Sequence, residues 1–111
     1  MAWLAKHKFA RIAPRKARGI AKMIQRRDLQ DALNVLKLTH RRAAVLFEKV
    51  LASAAANANE AEADMNSLYV YDARVDEGPT MKRFRPKDRG RAHGILKRTS
   101  HLSVTLEERM K

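Results

Sequence analysis

Residues Pro79 to His101 read PTMKRFRPKDRGRAHGILKRTSH. Eight of them are Lys or Arg and one, Asp88, is acidic. Met81, Phe84, Ile95 and Leu96 are the only large apolar side chains in the stretch. Such a segment cannot bury enough surface to offset its chain entropy and charge repulsion. It is nevertheless not of low complexity, and strand-like alternation flanks it on both sides. Lys87-Asp88-Arg89-Gly90 has the chemistry of a turn, since Asp initiates one well and Gly supplies the positive φ that closes a short loop. The spacing predicts a hairpin with arms 80–86 and 91–100. Half of the whole stretch from Pro79 to His101, about eleven residues each rising about 3.3 Å, reaches roughly 36 Å. That exceeds the expected width of the rest of the chain, so the tip projects. A structureless loop of this length is uncommon inside a compact domain. An arm this basic becomes ordered when a polyanion neutralises it, and nucleic acid is the first candidate.

On either side of this arm the pattern turns to period two. Leu68 to Val75 reads as a strand with Tyr69, Tyr71, Ala73 and Val75 on one side, interrupted by Asp76-Glu77-Gly78-Pro79. Residues 101–106 read as another, with Leu102, Val104 and Leu106 on one face and His101, Ser103 and Thr105 on the other. Residues 3–12 alternate loosely between apolar and basic, as an edge strand does with Lys and Arg outward.

Between them the period becomes helical. Pro14 suits the first position of a helix running to about Gln25, with Ala17, Ile20, Ala21 and Ile24 as its stripe. Its first turn is basic, against the dipole preference, which phosphates nearby would offset. Asp28, with Asp31 at capping-box spacing, starts a short helix striped by Leu29, Ala32, Leu33 and Leu36 and ending near Leu38. Thr39 is the expected cap of a third helix, striped by Ala43, Leu46, Phe47, Val50 and Ala54 and continuing through Ala52–Ala58. Glu60 to Ser67 reads as polar and turn-like.

The 111 residues carry a formal net charge of +12, which favours an anionic partner. The charge is segregated. Residues 1–27 hold nine Lys/Arg and no acid, and residues 28–78 hold five against nine acids. A neutral-to-acidic centre is thus flanked by two basic regions. The chain has no cysteine, which excludes disulfides and thiolate metal sites. No apolar run approaches the roughly 20 residues of a membrane span. Lys6, Lys8 and Arg11 interrupt any signal-peptide core, so a soluble, intracellular protein is expected.

Catalytic and metal signatures are missing. His7, His40, His93 and His101 share no ligand spacing, and no phosphate loop or nucleophile elbow appears. Asp76 and Glu77, adjacent on a strand, face opposite ways and do not converge on one substrate. No enzyme activity, cofactor or metal is expected. Thr99, Ser100 and His101 either hydrogen-bond phosphates and 2′-hydroxyls or supply ordinary strand polarity. Phe84 either stacks on a base or packs across the hairpin on Ile95 or Leu96. Charge alone leaves two binders open, a structural RNA-binding protein and an architectural DNA binder with a basic β-arm. A small ribonuclease would need a convergent acid–base pair, and none is visible.

Several runs are longer and more specific than composition. They are Pro14-Arg15-Lys16-Ala17-Arg18, Ala43-Ala44 with Ser53-Ala54-Ala55-Ala56-Asn57-Ala58, and Val75-Asp76-Glu77-Gly78-Pro79-Thr80-Met81-Lys82-Arg83-Phe84-Arg85-Pro86. Gly90-Arg91-Ala92 and Ile95-Leu96-Lys97-Arg98-Thr99-Ser100-His101 complete the set. Together they resemble the universal large-subunit ribosomal protein twenty-two family, bacterial type, over nearly the whole chain. The resemblance implies an α+β fold, with three helices packed on a small antiparallel three-stranded sheet. One long β-hairpin, residues 78–101, protrudes from a single 1–111 domain.

It also implies a structural constituent of the large ribosomal subunit in the cytoplasm that binds large-subunit rRNA and supports assembly. The expected rRNA-binding residues are Lys6, Lys8, Arg11, Arg15, Lys16, Arg18, Lys82, Arg83, Arg85, Arg91, Lys97, Arg98, Thr99, Ser100 and His101. Lys87, Asp88, Arg89, Gly90 and Arg91 fall at the tunnel-lining tip. Met81, Lys82 and Arg83 fall in the family's macrolide-related hairpin segment. Implied partners are rRNA, large-subunit proteins near the exit tunnel, ribosomal protein four across that tunnel, and the nascent peptide, with the chain a monomer in the ribosome. The sequence departs from the family at three places. Ala13 replaces a capping Ser, a loss of about 1 kcal/mol. Asp88 puts a negative charge at a small, neutral tip position, and His93-Gly94 replaces a polar-plus-basic pair.

Overall fold

The structure, a computed structural model, describes residues 2–87 and 91–108, and for residues 81–87 and 91–96 the backbone alone. Chain order is β1 (Ala2–Ala10), α1 (Pro14–Ile24), α2 (Leu29–Leu38), α3 (Arg42–Glu60), a 3₁₀ turn (Met65–Ser67), β2 (Leu68–Glu77), β3 (Met81–Lys87), β4 (Arg91–Lys97) and β5 (Ser100–Glu108). The expected α+β architecture is present. Three helices pack on one face of an antiparallel three-stranded sheet of order β1-β5-β2, and β3-β4 form a separate two-stranded sheet.

The last-made strand, β5, lies in the middle and is the most buried of the three, with Leu102, Val104 and Leu106 fully buried. Opposite them stand His7, Ala5 and Trp3 of β1, and Val75, Ala73 and Val70 of β2. Ile20 and Ile24 of α1 and Phe47 and Leu51 of α3 close the core from the other side.

The α1 stripe is buried as the period requires, and Pro14 occupies the first turn. Ala13 has the extended backbone of a cap and makes no side-chain cap bond. Two cap expectations are corrected. Asp28 precedes α2 but makes no side-chain cap hydrogen bond, so the capping box with Asp31 does not form. Its backbone instead bridges to Tyr69. Thr39 does not start α3. It ends α2, its hydroxyl donating to the Val35 carbonyl at 2.7 Å, and α3 begins after Arg41. Leu46 is only half-buried, while Ala44, Leu51 and Ala58 are buried, so the core stripe of α3 is shifted from the expected one.

The expected face of β2 is also corrected. Its pairing with β5 slips between Val70 and Asp72, a bulge at Tyr71. An inserted residue reverses the alternation beyond it. Leu68 and Val70 therefore point the same way as Ala73 and Val75, while Tyr69 is half-buried and Tyr71 exposed. Beside this strand the α1–α2 connection runs as a fourth rail. The Arg26 N–H donates to the Val70 carbonyl and the Val70 N–H to the Arg27 carbonyl, each at 2.8 Å.

Candidate nucleic-acid interface

Between the last rung of the main sheet, Glu77 opposite Ser100, and the first rung of the hairpin, Met81 opposite Lys97, three residues face two. This junction is tightly bonded. The Gly78 N–H donates to the Thr99 carbonyl at 2.9 Å, and the Thr99 hydroxyl donates to the Pro79 carbonyl at 2.6 Å. The Ser100 hydroxyl donates to the Ile12 carbonyl at 2.6 Å, tying β5 to the start of α1. Gly78 is required for space: a Cβ there would overlap the Thr99 hydroxyl and come within 3.3 Å of the Thr99 backbone.

Thr99 is 5 % exposed and Ser100 fully buried, and both hydroxyls are engaged with backbone carbonyls at the base of the hairpin. His101 is half-buried, and its Nδ1 accepts the Phe9 N–H at 3.0 Å. The proton of the neutral ring therefore sits on Nε2.

The cations around the junction are exposed. Lys6 and Lys8 lie on β1, Arg11 on its exit, Arg15, Lys16 and Arg18 on α1, and Lys97 and Arg98 at the end of the hairpin. Arg18 also donates to the Val75 carbonyl at 3.4 Å, which holds α1 to β2. A cleft of about 210 Å³ opens beside the junction, lined by Pro14, Glu77, Gly78, Thr80, Arg98 and Thr99. A second, of about 380 Å³, is lined by Ile12, Lys16, Arg41, Arg42 and Ala43.

The second cleft contains two cations that the sequence reading missed. Arg41 and Arg42 belong to the segment of negative net charge, yet the fold carries the start of α3 back to Lys16. The available signal was local: an adjacent basic pair, after His40, at a helix start. Lys82, Arg83, Arg85, Lys87 and Arg91 lie on β3 and β4 by backbone register, with Lys87 opposite Arg91 and Phe84 opposite Gly94. The side chains of Met81 to Leu96 and the tip residues Asp88, Arg89 and Gly90 lie outside what is described. Among the described residues no cluster of His, Asp or Glu could hold a metal. No described helix is long and apolar enough to cross a membrane.

A cationic α+β unit with a two-stranded basic arm has the charge and the reach of proteins built into ribonucleoproteins. A family model described as Ribosomal protein L22p/L17e matches residues 5–107. The chain is also similar to the large ribosomal subunit protein uL22 of Mycoplasmopsis agalactiae, at 49% identity over 104 residues, covering 93% of this chain and 91% of that protein. The chain belongs to the L22p/L17e family of ribosomal proteins. It is a structural constituent of the large subunit of the cytoplasmic ribosome and binds rRNA.

Proposed function

We propose that residues 1–111 act as one domain whose arm, residues 78–101, runs through large-subunit rRNA and brings its tip to the wall of the nascent-peptide tunnel. The observation that carries this reading is the arm itself. Among the described residues β3 and β4 pair with each other and with no third strand, and the molecule measures 67 Å along one axis against 24 and 17 Å across. A free ribbon of two strands is marginal in water, so an enclosing partner is what keeps it useful.

In this reading Lys6, Lys8, Arg11, Arg15, Lys16 and Arg18 bind rRNA phosphates around the base, and Lys97 and Arg98 continue that contact onto the arm. Lys82, Arg83, Arg85 and Arg91 bind along it. Thr99, Ser100 and His101 aim it. Lys87 to Arg91 meet the nascent peptide, with ribosomal protein four on the opposite wall and other large-subunit proteins near the exit. By holding separate rRNA segments, the monomer supports subunit assembly.

Deleting Met81-Lys82-Arg83 tests the reading. Removing an odd number of residues from one strand flips its register against β4 and re-aims everything beyond. Subunits carrying the deletion should form and sediment normally in sucrose gradients, while macrolide sensitivity and the ribosome-profiling pattern of pausing change. Wild-type drug response and pausing in normally assembled subunits would reduce the tip to an anchor.

A further inference from the structure

β1 contains a backbone irregularity near its end. Its pairing with β5 advances three residues from His7 to Ala10 while β5 advances two, from Leu102 to Ser100. The extra residue is accommodated by Phe9 at φ 58°, in the left-handed region that bulky side chains rarely enter. Bulges re-aim side chains, and this one delivers a phenyl ring to the surface: Phe9 is 59% exposed. The ring is nevertheless held. The Phe9 N–H donates to Nδ1 of His101 at 3.0 Å, and the two rings meet edge to face, 4.9 Å apart at 87°. Lys8 precedes it, Arg11 follows, and Ala10 pairs with Ser100, two residues from Arg98. A fixed, exposed aromatic among cations is the arrangement on which proteins stack unpaired nucleobases, because every base has a π-face and its phosphates reach the surrounding charge.

We propose that Phe9, braced by His101, is a stacking platform for one unpaired rRNA nucleobase, with Lys8 and Arg11 on the adjoining phosphates. The occupant is a base because the positive surroundings select a polyanion, and a ring held in a fixed plane matches a planar partner. The proposal rests on rRNA binding by the chain, and its test separates the two.

The affinity of the full chain for large-subunit rRNA transcript is measured by filter binding across a salt series, alongside urea unfolding of the free protein. Phe9→Tyr should bind as wild type. Phe9→Leu keeps apolar bulk but no π-face and should bind about 5- to 150-fold more weakly, with an unchanged salt slope. Phe9→Gly suits the positive φ, so it should keep the urea midpoint while losing affinity to the same degree. Lys8→Ala should instead lower the salt slope by about one. Wild-type affinity in Phe9→Leu, or a loss that tracks the urea midpoint, overturns the platform and leaves the ring to a protein neighbour or to the fold. Failure of the wild-type chain to bind the transcript would instead fall on the rRNA-binding reading.

Discussion

Replacing Gly78 by Ala should unlock the base of the arm, and the structure sets the size of the effect. The new Cβ would overlap the Thr99 hydroxyl, so that group must turn away from the Pro79 carbonyl it now meets at 2.6 Å. Thr is β-branched and stiff at χ1, and leaving its rotamer costs about 0.5–1.5 kcal/mol. At 5 % exposure the displaced hydroxyl is largely shielded from water, and an unsatisfied buried hydroxyl costs about 1–3 kcal/mol. The expected loss is therefore about 2–4 kcal/mol. It should appear in global unfolding, because the neighbouring Ser100 is a rung of the central sheet, paired with both Ala10 and Glu77.

Thr99→Ala alone should cost about 1 kcal/mol, since the Pro79 carbonyl it abandons lies on an exposed residue. The double variant should cost little more than Thr99→Ala, because removing the hydroxyl makes room for the methyl. Urea denaturation of all four proteins then gives a coupling of about 2–4 kcal/mol, nearly the whole cost of Gly78→Ala. If Gly78→Ala costs less than about 0.5 kcal/mol, or if the two single costs simply add, the steric account is wrong.

Phe47→Ala should remove about 3–5 kcal/mol of stability, since Phe47 is fully buried between helix and sheet, and thermal or urea unfolding reads this directly. Neutralising Lys97 and Arg98 together should reduce the magnitude of the salt slope of rRNA binding by roughly one to two units without changing the melting temperature. An unchanged slope would mean both are merely solvated. The same measurement on Arg41→Gln with Arg42→Gln asks whether the cleft beside Lys16 takes phosphate, for which a drop of one to two in slope is expected.

The elements that were legible in the sequence are those in which one local signal acted alone. Ala17, Ile20, Ala21 and Ile24 form a clean helical stripe, and Leu102, Val104 and Leu106 a clean alternation, and both sets are buried. Where two local signals competed, the reading slipped. Thr39 has the chemistry of a helix cap, but a hydroxyl can equally bond back to the carbonyl four residues earlier, and here it does. Tyr71 continues an alternating pattern on paper, yet one residue must bulge for Ala73 and Val75 to reach the core. No periodicity count detects an insertion of one.

The basic surface was only partly legible for a different reason. Charge summed along the chain marked Lys16 and hid Arg41 and Arg42, because folding gathers charges without regard to sequence distance. Ser100 and Thr99 look like polar strand residues until the Ile12 and Pro79 carbonyls are placed beside them.

The backbone rail formed by Arg26 and Arg27 against Val70 bears on the interval between synthesis and assembly. An outer strand with unpaired main-chain groups invites strand addition by a second molecule, and a chain awaiting its place in a large particle exists for a time without its shield. Along β2 the amide and carbonyl of Val70 are already taken, so a copy docking there would first have to displace the link between α1 and α2. Along β1, Lys6 and Lys8 would confront their own like charges in an incoming copy, and the bulge at Phe9 breaks the register such a copy would need. Both flanks of the sheet thus oppose polymerisation by different means, one by occupancy and the other by repulsion.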